Sequence, residues 1–245
     1  MRNELPEIVR RLEARYGEVP EIEPRDAMDE LICCILSQHT SDANSFPAFD
    51  RLKAELPNWE GVLAAGPLRV ADIVRTAGLA NQKAKSIDAC LRAIYDRTGG
   101  FSIDHLKAMP MREAREWLEQ LPGVGPKTAS IVLCFAFGMG AIPVDTHVFR
   151  VGWRLGFYDE KIGADKAHDV LLKIVPPEWA LRFHVALIRH GRGACSAPLP
   201  KCEICPITEF CGWFQAGGPA KRREEMRSKR SGRAKLVASG TLRGR

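Results

Sequence analysis

Apolar positions along the chain recur at the spacing of a helix rather than that of a strand. Met28, Leu31, Ile32 and Ile35 fall at i, i+3, i+4 and i+7, as do Ile87, Cys90, Leu91 and Ile94, and again Ala167, Val170, Leu171 and Ile174. Such spacing lays one apolar stripe along each helix. Similar faces run through Ile8 to Tyr16, Phe46 to Leu56, Trp117 to Leu121 and Leu181 to Ile188. Sustained period-2 alternation between turn signals is absent, which argues against a sheet. The predicted fold class is all-α. Glycine and proline interrupt the pattern at Gly17 to Pro24, Pro57 to Gly66, Gly99 to Ser102, Pro122 to Pro126, Gly138 to Pro143 and Pro176 to Pro177. These breaks cut the chain into about ten short helices with tight connections. After Cys211 the character changes: Gly217, Gly218 and Pro219 precede an apolar-poor, Lys/Arg-rich end that reads as a linker and a tail.

Charge sharpens that division. The 245 residues carry a net +6, but residues 214–245 hold ten Lys/Arg against Glu224 and Glu225, a net +8. Subtracting the tail leaves −2 for residues 1–213. Binding of an anion by the body must therefore rest on local geometry, while the tail is either a solubilising end or a nucleic-acid contact. No run of about 18 apolar residues occurs and the opening MRNELPEIVR lacks an apolar leader, so the expectation is a soluble, cytoplasmic protein with no membrane partner.

Eight cysteines in such a chain point to metal ligation or simple burial rather than disulfides. Cys33, Cys34, Cys90 and Cys134 lie within apolar helical patterns, where a thiol acts as a small hydrophobe. Cys195, Cys202, Cys205 and Cys211 crowd into one loop with x6, x2 and x5 spacing. That loop is too rich in proline and small residues to fold on its own apolar burial, so a bound group must hold it. Zinc and iron-sulfur clusters both accept four thiolates, and spacing alone does not separate them; donor chemistry leans slightly to zinc.

Two further segments carry candidate chemistry. Leu121-Pro122-Gly123-Val124-Gly125-Pro126-Lys127-Thr128-Ala129 joins two helical patterns through a two-glycine turn. Pro126 suits the first helical position, which makes Gly125 the N-cap and Lys127 the second helical residue. Glycines let backbone approach a ligand, and free N–H groups at a helix start suit a phosphate, so the turn can grip a nucleic-acid backbone without reading sequence. The positive end of the helix dipole disfavours the ammonium form of a lysine placed there and favours the free amine that a nucleophile needs. Eighteen residues on, Pro143-Val144-Asp145-Thr146-His147-Val148-Phe149-Arg150 leads from a loop into a helix. Asp145 reads first as an N-cap. One carboxylate oxygen can cap while the other stabilises oxocarbenium-like charge on a sugar, so an amine and this carboxylate form a minimal set for cleaving an N-glycosidic bond.

The order LPGVGPKTA, VDTHVFRV, HGRGAC with its cysteine spacing strongly resembles the endonuclease III family of helix-hairpin-helix DNA glycosylases, over most of residues 5–213. The resemblance implies a fold of two all-α lobes with a DNA-binding cleft. Here residues 24–137 would form a six-helix lobe, 1–23 with 138–213 a cluster lobe, and 214–245 a basic, flexible tail. It implies that Lys127 forms a Schiff base with deoxyribose C1′ and drives β-elimination, with Asp145 as the family aspartate. It implies a 4Fe-4S cluster on Cys195, Cys202, Cys205 and Cys211, reversing the lean toward zinc. The partner would be double-stranded DNA holding a damaged base, an oxidised pyrimidine by family expectation, or an abasic site, bound by a monomer.

Base chemistry in a duplex requires extrusion of the nucleotide, so side chains must fill the gap. Thr76 to Lys83 resembles the family loop with an inserted leucine, here Leu79, and Leu36 to Asp42 resembles the second insertion segment. His39 stands where the enterobacterial type has glutamine, with Gln38 beside it, and either could enter the duplex. Gly123, Val124 and Gly125 would contact the backbone. Between the first two cysteines only Lys201 is basic, where relatives often carry several such residues, so the tail is expected to supply part of the attraction. An insertion at Met109 to Trp117 has no assigned role. The competing functions are a monofunctional alkyl-base or mismatch glycosylase and a non-catalytic DNA-binding module; Lys127 argues against the adenine-mismatch type.

Overall fold

The computed structural model describes residues 3–19 and 24–240, with side chains described as far as Lys229. The first helices are α1 (Leu5–Tyr16), α2 (Ala27–Ser37), α3 (Asp42–Glu55), α4 (Trp59–Ile73), α5 (Ala80–Thr98) and α6 (Met111–Glu119). They are followed by α7 (Pro126–Ile131), α8 (Thr146–Leu155), α9 (Gly163–Ile174), α10 (Ala180–Gly193), α11 (Gly212–Gln215) and α12 (Gly218–Gly240). No β-strand occurs among the described residues, in line with the all-α prediction, and no described helix is long and apolar enough to cross a membrane.

The chain divides into two compact units. One comprises Pro20–Val144 and Leu171–Leu181, the other Met1–Val19, Asp145–Val170 and Arg182–Arg245. Residues 138–144 and Leu171–Leu181 thus group with the helices α2 to α7.

In that first unit α2 is the central helix. Asp26 caps it, its Oδ1 accepting from the Met28 and Asp29 amides at 2.9 and 3.0 Å. Leu31, Ile32, Ile35 and Leu36 are fully buried against Leu52, Ile87, Leu91 and Leu118. Each such side chain stabilises the unit by about 1.5–3 kcal/mol relative to exposure. The break expected from Pro57 to Gly66 divides in two: the chain leaves helix at residues 56–58, where Asn58 caps α4, and kinks again inside α4, where Gly66 takes φ +73° before Pro67. The Met109 to Trp117 segment forms the start of α6, which buries Ala114 and Leu118 and packs on α7. Trp117 on α6 meets the His105 ring at 5.0 Å and lies under the Arg97 guanidinium at 5.4 Å. Beyond Ile131 the helix widens into a π turn, Val132–Ala136.

In the second unit α1 is tied to α10 by Glu13, a buried carboxylate held by both arms of Arg182 at 2.6 Å. The glycines of the HGRG segment are packing devices. A Cβ on Gly191 would come within 2.8 Å of His147 Cβ, and one on Gly193 within 3.0 Å of the Tyr16 ring. The linker and tail expected after Cys211 are instead helical as far as Gly240. Gly217 turns the chain at φ +74°, and the Trp213 indole covers Gly218 so closely that a Cβ there would collide with it. Pro219, Arg222 and Met226 form the half-buried face of α12, while Lys221, Arg223, Arg227 and Lys229 are exposed. The last five tail residues, 241–245, lie outside the described residues, as do 1–2 and 20–23.

Candidate active site and thiol pocket

The hairpin forms as its sequence predicts. Gly125 is the N-cap of α7, Pro126 occupies the first helical position and Lys127 follows it, exposed. Gly123 adopts φ +79°, where a side chain would be strained, and Val124 is buried beneath the turn. Gly125 needs neither a positive φ nor room inside the protein, since nothing lies within 4 Å of a Cβ built there. Its lack of a side chain therefore leaves open space above backbone at a helix start, where a phosphate can approach.

Two loops of the same unit carry the expected insertion residues. His39 and Leu79 are the non-glycine residues at positive φ among those described, at +54° and +48°. Left-handed backbone is sterically costly for leucine, and such residues persist only where surrounding contacts hold them. Leu79 is 57% exposed at the start of α5, and His39 is exposed just past the end of α2. Gln38 behaves differently: its amide Nε2 donates to the Gly123 carbonyl at 2.9 Å, which anchors the loop to the hairpin.

In the second unit Asp145 caps α8. Its Oδ1 accepts from both the His147 and Val148 amides, at 2.8 and 2.7 Å. Oδ2 takes no part in the cap, so one oxygen is structural and the other is available.

Cys195, Cys202, Cys205 and Cys211 line one pocket of this unit together with Arg154, His190 and apolar groups such as Val151, Leu155, Ile207 and Phe214. Sequence reasoning missed the residues of α8 and α10 that shape it. Arg154 is buried, and its Nη1 donates to Cys195 Sγ at 3.3 Å and to the Ser196 carbonyl at 3.0 Å. Its Nε is buried without a partner. Arg150 donates through Nε to the Cys195 carbonyl and through Nη2 to the Gly191 carbonyl, both at 2.9 Å. His190 is buried beside Cys205, its Nδ1 3.1 Å from the Tyr16 hydroxyl, and burial lowers its pKa to about 4. The signal for Arg154 was present as a charged residue among Val148, Val151 and Leu155 on the buried face of α8. Lys201 is exposed at the start of the turn Cys202–Ile204.

The donor set suits an anionic cluster. Burial raises the pKa of Cys202, Cys205 and Cys211, Cys205 to about 11, and the charges of neighbouring thiolates add to the effect. Thiolates at Cys202, Cys205 and Cys211 are therefore disfavoured unless a cationic core offsets their charge. A four-thiolate iron-sulfur group keeps net negative charge, which the buried Arg154 guanidinium would balance. Among the described residues, no three His, Cys, Asp or Glu side chains converge on a single ion position.

The chain is similar to known proteins in sequence and in fold. The model for the HhH-GPD superfamily base excision DNA repair protein matches residues 32–177. Endonuclease III of Haemophilus influenzae is 35% identical over 206 residues, which cover 84% of this chain and 93% of that protein. Endonuclease III of Escherichia coli is 36% identical over 181 residues, covering 74% and 81%. A solved structure of a trapped endonuclease III–DNA covalent intermediate has a TM-score of 0.75 at 29% identity, over 88% of this chain and 98% of that one. Fold and hairpin thus define a helix-hairpin-helix enzyme of base excision DNA repair. The chain belongs to the HhH-GPD superfamily and, within it, to the endonuclease III family of DNA glycosylases/lyases.

Proposed function

We propose that Lys127 and Asp145 act on one extruded nucleotide of double-stranded DNA, the first as nucleophile and the second as electrostatic partner, with oxidised pyrimidines as the bases removed. The observation that carries this reading is an exposed lysine at the second residue of α7, directly after a turn with open space over Gly125. The Lys127 amine attacks C1′ as the base departs, and the uncapped Oδ2 of Asp145 stabilises positive charge on the sugar. The resulting Schiff base acidifies the C2′ proton, and its loss expels the 3′ phosphate by β-elimination. Gly123, Val124 and Gly125 hold the neighbouring backbone, and Leu79 with His39 fills the vacated stack. Gln38 serves as the anchor of its loop, because its amide is already committed to Gly123. Lys201 adds a phosphate contact beside the thiol loop. The enzyme works as a monomer in the cytoplasm, where DNA is accessible.

Borohydride reduction on duplexes with thymine glycol, alkylated purine, uracil or an abasic site tests this reading. A covalent adduct mapped to Lys127, with release of thymine glycol, is the expected result. Base release without an adduct would establish a monofunctional glycosylase, and DNA binding without either would establish a non-catalytic module.

A 4Fe-4S cluster on Cys195, Cys202, Cys205 and Cys211 would hold the loop from Cys195 to Cys211 in place of an apolar core. Arg150 and Arg154 fix that loop to α8 through the Cys195 carbonyl. Iron and acid-labile sulfide are expected in the purified protein, and zinc in their place would overturn the assignment. Cys205→Ala should lose the iron and destabilise the protein by more than about 4 kcal/mol, the range in which loss of a metal site falls.

The exposed cations of α12 supply part of the attraction to DNA. Deleting residues 219–245 is expected to flatten the dependence of log K on log salt by about 0.9 for each phosphate that the tail neutralises. An unchanged slope would remove the tail from the interface.

A further inference from the structure

Lys83 is a buried cation that the chemistry above does not use. It sits on the apolar stripe of α5 with Ile87, Cys90 and Ile94, and only 4% of its surface is exposed. Its ammonium donates to the Leu36 carbonyl at 2.5 Å, the Thr40 hydroxyl at 2.7 Å and the Ala77 carbonyl at 2.7 Å. All three N–H groups are thereby used. No carboxylate compensates the charge among the described residues, and burial alone lowers its pKa. Thr40 closes the arrangement by donating in turn to the Ala77 carbonyl.

The acceptors are informative. Leu36 lies in the last turn of α2, two residues before Gln38 and three before His39. Ala77 ends the turn Arg75–Ala77, two residues before Leu79. Both carbonyls come from helix ends that leave backbone oxygens without intrahelical partners and gather negative dipole charge. One ammonium thus joins the bases of the two loops that carry the exposed, left-handed His39 and Leu79. An apolar residue would fill the space, but it would leave the Leu36 carbonyl unsatisfied and the Thr40–Ala77 hydrogen bond as the remaining tie between the loops.

We infer that Lys83 is a positioning residue that fixes the spacing of the two insertion loops, so that His39 and Leu79 enter the duplex together. The inference rests on the assignment of those residues as wedges in the proposed function. A displacement of about 1 Å in such a constellation can cost on the order of 100-fold in rate.

The test compares three readouts in Lys83→Met, below its melting temperature. They are fluorescence of 2-aminopurine placed beside thymine glycol, the single-turnover rate of base release, and strand cleavage at a preformed abasic site. The expected result is a reduced extrusion signal and base release slowed about 10-fold to 100-fold. Cleavage of the abasic strand should change by less than about threefold, because no base remains to be extruded. A lower melting temperature with extrusion and release unchanged would overturn the inference. Should Lys83→Met fail to fold, Thr40→Val removes one acceptor and the second tie between the loops; it is expected to shift the same readouts in the same order, and parent-like extrusion would overturn the inference. Leu79→Ala and His39→Ala serve as reference. If they too leave extrusion intact, the wedge assignment itself fails; if they impair it while Lys83→Met does not, only the role of Lys83 falls.

Discussion

Lys127→Ala is expected to abolish borohydride capture and to slow cleavage at an abasic site by about 10³-fold or more, equivalent to roughly 4 kcal/mol of activation free energy. The fold should hardly notice. Lys127 is exposed, makes no hydrogen bond or ion pair among the described residues, and alanine is the better helix former at that position. The expected change in stability is within about 0.5 kcal/mol, which separates chemistry from folding. Lys127→Arg completes the test. It retains the positive charge and the attraction to phosphate, but guanidinium stays protonated and is no nucleophile, so capture should be lost while DNA binding persists. An adduct of unchanged yield in either variant would show that another amine attacks the sugar.

Asp145→Asn should reduce release of an intact damaged base by about 10²-fold to 10³-fold while leaving cleavage at a preformed abasic site within about threefold. The asymmetry follows from where charge develops. Expulsion of the base builds oxocarbenium character that a carboxylate stabilises, whereas an abasic sugar has already lost its base. Asparagine matches aspartate as an N-cap and can accept from the His147 and Val148 amides as Asp145 does. Single-turnover release from thymine glycol duplex decides the matter, and parent-like rates would reduce Asp145 to a cap.

Much of this site could be read from the sequence because its parts are local. The Gly125, Pro126, Lys127 placement follows from backbone rules acting over three residues, and the capping role of Asp145 from rules acting over four. The cysteine spacing announced a bound group for the same reason. What escaped were contacts across long stretches of chain: Arg150 and Arg154 reach Cys195 from more than 40 residues away, and Gln38 reaches Gly123 across 85. Lys83 and Arg154 were nonetheless visible as charges on apolar stripes. The positive φ of Leu79 had no signature, since leucine does not favour that conformation, and the mild tolerance of histidine for it was too weak a signal to mark His39. Gly217-Gly218-Pro219 misled, because the same letters suit a free linker and a turn capped by the Trp213 ring.

The division of labour proposed for the Asp145 carboxylate would have a consequence for cells. Since a neutral amide would keep α8 intact, loss of the charge would not lead to degradation. Such an allele would instead yield a durable occupant of lesions, shielding them from other repair enzymes, and its harm should grow with its abundance.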